Sequence, residues 1–260
     1  MTRPAKQPVC RTYSKRFDLF SLVQTNTRRY PFLLESTARQ EKQQIDTARY
    51  DILLCHPQQT LQKNADNTLA LNGADYPGEA FLPTLDQLWR EQGHTANNLP
   101  NLPFSGGWFL YLGYELAAEI EPTLQLPNSD GRLPIAQATR IPAAIIYDHA
   151  RDQTTIVVEA AYAALLDDIE HDLLSLAVLP EMLQSSLCTA LVEDVPQTYL
   201  DNTRKVLDYI REGDVFQVNL SRQWQGKAVR EVVQFPLYQR LRRCNPAPFA
   251  GFAALVPLKL

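Results

Sequence analysis

The sequence predicts an α+β protein, and three kinds of pattern indicate this fold class. Short apolar runs bounded by turn residues, at 31–36 and 50–55, are typical of strands. Two further runs, 143–147 and 154–158, flank a polar turn and predict a β-hairpin. Apolar residues at helical spacing over 162–179 predict an amphipathic helix. The chain has 260 residues, of which 45% are hydrophobic, and can therefore bury a sizeable core.

Two consecutive glycines, Gly106 and Gly107, introduce an apolar strand predicted over 108–114. Glycines there suit a tight turn or a close approach of another segment to the backbone. A phosphate-binding loop is the functional alternative, but neither GxGxxG nor GxxxxGK[ST] is present. Earlier in the chain, a helix is predicted over 81–89, and the charged stretch 39–46 is expected to form a surface loop.

The helix predicted over 162–179 carries apolar side chains on one face and acidic ones on the other. The acidic group could imitate a cation site, but we favour a solvated helix face for Asp167, Asp168, Glu170 and Asp172. Thr198 and Gly213 are placed to begin and end the next helix. A further helix tolerates Pro236 in its first turn, and a strand is predicted to begin at Gly251.

Residues 213–222 close a helix and open a predicted strand with one polar face. Because a strand has a period of two, Gln217, Asn219 and Ser221 point one way, and the apolar side chains between them point the other. The polar face suits a small polar ligand. A half-buried edge strand with a solvated polar face is the alternative that the pattern leaves open.

Charge and cysteine usage exclude several classes of protein. The net charge of −4 and the pI near 5.6 argue against a surface for nucleic acid or anionic membranes. The basic pairs 28–29 and 242–243 are interpreted as solvated helix ends or ion-pair partners. The dispersed cysteines are expected to be reduced thiols of a cytoplasmic protein. Neither a secretory signal nor a membrane helix is predicted.

The sequence offers no local motif for metal binding or nucleophilic catalysis. The four histidines lie far apart, and none stands at metal-ligand spacing with a cysteine or a carboxylate. A zinc site is therefore not predicted. The Gly-x-Ser-x-Gly elbow of serine hydrolases is also absent.

Three ordered segments carry motifs that point to one family. Residues 103–108 are Pro-Phe-Ser-Gly-Gly-Trp and lead to Gly-Tyr-Glu-Leu at 113–116; residues 213–218 are Gly-Asp-Val-Phe-Gln-Val; residues 245–249 are Asn-Pro-Ala-Pro-Phe. Together they resemble the chorismate-utilising enzymes, the family of the anthranilate synthase and aminodeoxychorismate synthase large subunits. Asn219 and the leucine after it are typical of the aminodeoxychorismate synthases, whereas anthranilate synthases more often carry Val-Leu.

The resemblance implies a fold and a division into domains. The fold is α+β, with antiparallel sheets packed as a sandwich and helices outside, here incomplete. Residues 1–180 match the N-terminal domain, 181–197 a linker, and 198–260 the truncated start of the chorismate-binding catalytic domain. The family's Ser-Pro-Glu-Arg-Phe and Pro-Ile-Lys-Gly-Thr segments are absent. We expect no catalytic residue in this chain, which would be a truncated, frame-shifted or partial product, inactive alone.

The resemblance also implies a reaction and its partners. In the aminodeoxychorismate synthases, ammonia from a glutamine amidotransferase subunit enters at C4 of chorismate and gives 4-amino-4-deoxychorismate for folate synthesis. In the complete enzyme, glutamates hold Mg²⁺, and the ion binds the carboxylates of chorismate. Those glutamates are absent here. An anthranilate synthase component I fragment is the alternative within the family.

Two ligand sites follow from the resemblance. One is the family's tryptophan pocket, because apolar walls suit an indole and a carboxylate or backbone acceptors suit an ammonium. Its candidates here are Leu34, Glu35, Ser36, Tyr50, Pro248, Phe249 and Ala250. The alternative is a simple core strand with Glu35 exposed at its end. The other site is the chorismate cavity, where Gln217, Asn219 and Ser221 would help to position the ligand.

Two interpretations outside catalysis stay open. The chain could be a non-catalytic module that keeps only the tryptophan pocket or the amidotransferase contact. It could also be a fragment that does not fold stably alone, because truncation would leave apolar sheet faces uncovered.

Overall fold

The computed structural model describes residues 7–37, 48–78, 80–92, 99, 102–126, 131–176, 187–229 and 234–255. The chain divides into two compact units, one of residues 1–179 with 242–260 and one of residues 180–241. The predicted domain boundaries stay a prediction, and the surface loop expected at 39–46 lies outside the described residues.

The described residues contain strands and helices along their whole length. The strands are β1 (Val9–Tyr13), β2 (Phe32–Glu35), β3 (Tyr50–Cys55), β4 (Gln59–Lys63), β5 (Leu69–Leu71), β6 (Ala74–Tyr76), β7 (Gly107–Leu112), β8 (Ala136–Ile141), β9 (Ala143–Asp148), β10 (Gln153–Val158), β11 (Cys188–Glu193), β12 (Trp224–Ala228) and β13 (Ala250–Ala253). The α-helices are α1 (Leu19–Thr25), α2 (Phe81–Glu91), α3 (Ala117–Ile120), α4 (Leu165–Leu174), α5 (Pro196–Glu212) and α6 (Gln234–Cys244). No helix among these is long and apolar enough to cross a membrane.

The first unit contains a six-stranded antiparallel sheet in the order β1-β10-β9-β3-β2-β13. The predicted hairpin is confirmed as β9 and β10, which pair Asp148 with Gln153 next to the turn. The last strand, β13, pairs with β2 near the start of the chain, with Ala253 opposite Phe32 and Ala250 opposite Glu35. The sheet is therefore completed by residues from both ends of the described chain.

A five-stranded antiparallel sheet, β6-β5-β4-β8-β7, packs against the inner face of the larger one. Only Pro142 separates β8 from β9, so the chain passes directly from one sheet to the other. Between the sheets, the ring of Phe32 stacks on that of Phe109 with centroids 3.9 Å apart. Around this pair lies an apolar core that includes Leu54, Ala144 and Val157. The expected α+β fold with packed antiparallel sheets is confirmed.

Helices α1 and α4 contact strands of the larger sheet, and α4 is held there by its acidic side chains. Glu170 pairs with Arg11 and accepts a hydrogen bond from the Tyr13 hydroxyl. Asp172 accepts bonds from Arg29 at 2.5 Å and from the Tyr30 hydroxyl at 2.7 Å. The expected solvated acidic face is thus correct for the exposed Asp167 and Asp168 and wrong for Glu170 and Asp172. These two sit half-buried because they face basic and phenolic partners on the sheet side.

Helix α2 covers the other face of the five-stranded sheet through the buried Phe81 and Leu88. Its amino terminus has no capping side chain of its own, since the residue before it is Ala80. Instead, the Glu119 carboxylate accepts the N–H groups of Phe81 at 2.9 Å and Leu82 at 2.7 Å, and Lys63 pairs with it at 2.8 Å. Although burial favours the neutral acid, these contacts lower the pKa of Glu119. A negative charge at this position also complements the helix dipole.

The glycine pair at the start of β7 allows a buried ion pair to approach the backbone, which agrees with the predicted close approach of another segment. Gly106 and Gly107 have φ values of +117° and +151°, where L side chains are strained. A Cβ atom on Gly106 would lie 1.8 Å from Oε1 of Glu159. That carboxylate makes two 2.6 Å hydrogen bonds with Arg140, which also donates to the Gly107 carbonyl at 3.0 Å. The motif at 103–108 is therefore anchored to β8 through Arg140.

The second unit consists of α5, the β11–β12 pair and the residues around them. Gly213 ends α5 in the left-handed conformation at φ +83°, which confirms the predicted helix end. The strand predicted after it is wrong: residues 214–222 form no strand, and Phe216 is fully exposed. A strand needs a neighbouring ladder, and the sheet described in this unit contains only β11 and β12.

The four cysteines are free thiols, as the sequence predicts. Cys55 lies inside the larger sheet, and burial raises the pKa of its thiol. Cys10, Cys188 and Cys244 are exposed.

We expect Gly106→Ala to lower the free energy of unfolding by about 3–5 kcal/mol, because the new methyl group must displace the buried Glu159–Arg140 pair. Gly73→Ala is the matched control. Gly73 also has a positive φ, +80°, but nothing lies within 4 Å of the position that a methyl group would take there. It should lose only about 1–2 kcal/mol from backbone strain. Urea unfolding measures both values, and equal losses would contradict the account of the glycine pair.

Candidate functional site

The candidate site lies where β13 meets β2, because this pairing brings the residues before β13 beside those after β2. The backbone N–H of Thr37 donates to the Ala247 carbonyl at 2.9 Å, and the N–H of Ala247 donates back to Thr37 Oγ1 at 2.9 Å. Ser36 Oγ lies 3.2 Å from the carbonyl oxygens of both Tyr50 and Pro248. The two segments that the resemblance pairs as one pocket are thus in direct contact.

We call the junction of β2 and β13 the β2–β13 seam. One face of this seam is apolar and accessible. Leu34 alternates with Glu35 along β2 and lies on the inner face with Phe32, where 43% of its surface is exposed. Its Cδ2 atom covers Gly251 of β13, 3.4 Å from the position of a Cβ there. Tyr50 packs at the edge of the inter-sheet core, and Phe249, just before β13, is 81% exposed. Apolar walls therefore lie close to the Ser36 hydroxyl and to backbone acceptors.

Glu35 lies on the opposite face of β2 from Leu34. It is buried, and its carboxylate binds Arg242 Nη2 at 2.7 Å. The same guanidinium lies 3.2 Å from Asp18 and over the ring of Phe20. The strand-end exposure expected for Glu35 in the simple-core alternative is therefore wrong, while Arg242 is an ion-pair partner as expected. Glu35 thus stabilises the seam on the face opposite Leu34. The Ser36 hydroxyl and the Tyr50 and Pro248 carbonyl groups lie beside Leu34.

Asp51 is a supporting residue that the sequence interpretation missed. Its Oδ1 atom accepts the backbone N–H of Ser36 at 2.8 Å, so the carboxylate fixes the position of this residue. Its Oδ2 atom lies 2.9 Å from His149 Nε2 and 3.7 Å from Arg16. The available signal was an acidic residue, buried here, inside the apolar run of β3. A buried carboxylate is rarely placed without partners.

The chorismate-cavity candidates Gln217, Asn219 and Ser221 lie in the second unit. All three are exposed and belong to the irregular segment between α5 and β12. The predicted polar strand face is absent there, so within this unit the structure does not bring them into a shared cavity. Their assigned role in positioning chorismate stays a prediction.

The described part of the chain does not offer a metal centre. Among those residues, no group of three His, Cys, Asp or Glu side chains could hold an ion. Several acidic side chains of the first unit form ion pairs with arginines instead, as Glu35, Glu159 and Asp172 do.

Comparison with known proteins identifies the family. The family described as chorismate binding enzyme matches residues 30–256, which include both the glycine-pair motif and the β2–β13 seam. The chain belongs to this family. The match covers most of the chain and confirms the resemblance that its motifs indicate.

Two kinds of relative are similar to the chain. Anthranilate synthase component 1 of Acetivibrio thermocellus is 27% identical over 238 residues, which are 84% of this chain and 47% of the relative. Aminodeoxychorismate synthase component 1 of Salmonella typhimurium strain LT2 is 28% identical over 214 residues, 80% of this chain and 45% of the relative. The chain thus spans about half the length of the curated relatives it matches.

A solved structure supports the fold. The crystal structure of anthranilate synthase component I from Streptococcus pneumoniae TIGR4 superposes with a TM-score of 0.56 and 24% identity. The superposition covers 80% of this chain and 49% of that one. The antiparallel sheets and outer helices described above are therefore those of the anthranilate synthase component I fold.

Proposed function

We propose that this chain forms the amino-terminal part of an aminodeoxychorismate synthase large subunit. That enzyme would add ammonia to C4 of chorismate and give 4-amino-4-deoxychorismate for folate synthesis. A glutamine amidotransferase subunit would supply the ammonia, in the cytoplasm. The observation that carries the proposal is the family match over residues 30–256.

The choice between the two kinds of relative depends on short motifs. Identity does not separate them, since it is 27% to one relative and 28% to the other. Asn219 with the leucine after it, and the Asn-Pro-Ala-Pro-Phe run at 245–249, favour the aminodeoxychorismate synthases. An anthranilate synthase component I fragment is the second candidate, because the anthranilate synthase of Acetivibrio thermocellus is about as similar to the chain as the aminodeoxychorismate synthase is.

The catalytic groups are proposed to lie outside this chain. In the complete enzyme Mg²⁺ would clamp carboxylate charge on the substrate. The described residues do not fit that ion, because their acidic side chains form no cluster of ligand spacing. The lysine segment of the family is also absent from the sequence. We therefore assign no catalytic step to a residue of this chain.

The seam between β2 and β13 is proposed to hold the amino acid of the family's pocket, L-tryptophan. The exposed Leu34 and Phe249 offer apolar surface for an indole. Ser36 Oγ and the Tyr50 and Pro248 carbonyl oxygens around it would accept hydrogen bonds from an α-ammonium group. Glu35 would act indirectly, by holding the seam through Arg242.

An assay of the purified chain with chorismate, Mg²⁺ and excess ammonium tests the catalytic assignment. Ammonium replaces the amidotransferase, so any competence in this chain would show as product in mass spectrometry. We expect no turnover from protein that circular dichroism shows to be folded. Formation of 4-amino-4-deoxychorismate would contradict the assignment of catalysis elsewhere, and anthranilate would also select the second candidate.

Calorimetric titration with L-tryptophan tests the pocket. We expect saturable binding that weakens about tenfold in Ser36→Ala, since one hydrogen-bonding group is worth about 1 kcal/mol or slightly more. Phe249→Ala should weaken it similarly by removing apolar contact. Phe216→Ala is the control, because it removes a fully exposed phenylalanine from the second unit. Absence of binding heat in folded protein, or an equal loss of affinity in both phenylalanine variants, would contradict the proposed pocket.

A further inference from the structure

A second cleft opens on the inner face of the six-stranded sheet, over β1, β10 and β9. Its volume is about 260 Å³, and Leu99, Leu102 and Ile146 form its apolar lining. None of the predicted tryptophan-pocket residues lines it. The cleft therefore needs an explanation of its own.

At the cleft, polar side chains occupy inward positions of the sheet, where the sandwich core has apolar ones. Along one row of the sheet, Thr12 pairs with Thr155, and Thr155 pairs with Ile146. The hydroxyl groups of the two threonines lie 3.1 Å apart and both line the cleft. In the parallel row, Val157 is buried in the core beneath the five-stranded sheet. The threonine row thus offers hydrogen-bonding groups beside the apolar lining of the cleft.

Charge at the cleft is unevenly balanced. Asp148 is buried and already bound by Arg49, whose Nε and Nη2 atoms lie 3.2 and 2.8 Å from its two oxygens. It also accepts the N–H of Ala150 at 2.9 Å. Although burial favours the neutral acid, these bonds lower the pKa of Asp148. Its negative charge therefore already has a close basic partner in Arg49.

Arg151 is the basic side chain that lines the cleft itself. Its Nε atom approaches Asp148 only to 3.9 Å, and about half of its side chain, 49%, is exposed. One carboxylate thus faces two guanidinium groups. A guanidinium with this freedom can bind a carboxylate through two parallel hydrogen bonds. The local charge favours an anion and disfavours a cation.

We propose that this cleft binds a monocyclic carboxylate with a polar ring substituent. The ring would pack on Ile146 and Leu102, the carboxylate would bind Arg151, and the substituent would bond to the Thr12 and Thr155 hydroxyls. Sites for small molecules commonly combine apolar walls with a few converging polar groups in this way. This site goes beyond the proposed function, because its lining shares no residue with the candidates for the tryptophan pocket or the chorismate cavity.

Nuclear magnetic resonance of the full chain with labelled isoleucine methyl groups tests the proposal. The probe is 4-hydroxybenzoate, and its neutral analogue 4-hydroxybenzamide is the matched control. We expect saturable shifts of the Ile146 methyl resonance with the acid, and at least tenfold weaker binding of the amide. The methyl group of Ile135, which lies in the other core, should stay unchanged.

Two substitutions make the test specific. Arg151→Gln should weaken binding of the acid about tenfold, while Arg90→Gln, on the exposed face of α2, should leave it unchanged. Thr155→Leu should block the cleft and abolish the Ile146 shift. Equal binding of acid and amide, no effect of Arg151→Gln, or no shift at millimolar acid in folded protein would each overturn the proposal. The readout needs no turnover, so it is independent of the catalytic assignment.

Discussion

The pairing of β13 with β2 is the constraint on which the first unit depends. Without β13, β2 would be the edge of the larger sheet and would present unpaired backbone groups. The ion pair between Glu35 and Arg242 reinforces the seam at its helix-covered face, where only 3% of the Glu35 side chain is exposed. A buried carboxylate that loses its partner costs about 3–5 kcal/mol, so the two segments are strongly tied.

This seam also explains how the candidate site is ordered. Because successive side chains of β2 point to opposite faces of the sheet, Glu35 binds Arg242 on one face and Leu34 stays accessible on the other. Asp51 of the neighbouring strand then holds the N–H group of Ser36. The backbone of the site is thus positioned by paired strands and by the contact of Ser36 with Asp51. That arrangement suits a pocket which must distinguish one small ligand from another.

Local signals carried much of the fold. The β9–β10 hairpin, the αL glycine after α5 and the strand after the glycine pair are each set by residues within a few positions of one another. The pairing of Glu35 with Arg242 joins residues 207 positions apart, and no periodicity encodes it. The prediction of a strand around Gln217 was wrong because it used local alternation alone. Its alternation is favourable, but a strand forms only beside a partner, which the sequence pattern does not supply.

Hydrogen–deuterium exchange of the full chain tests the β2–β13 seam most directly. We expect slow exchange in peptides covering 32–35 and 250–253, and faster exchange in both when Arg242→Ala removes the partner of Glu35. Peptides covering β9 and β10 should keep their protection, because their pairing does not involve the seam. Rapid exchange of 250–253 in the unmodified chain, or unchanged protection in Arg242→Ala, would contradict the account.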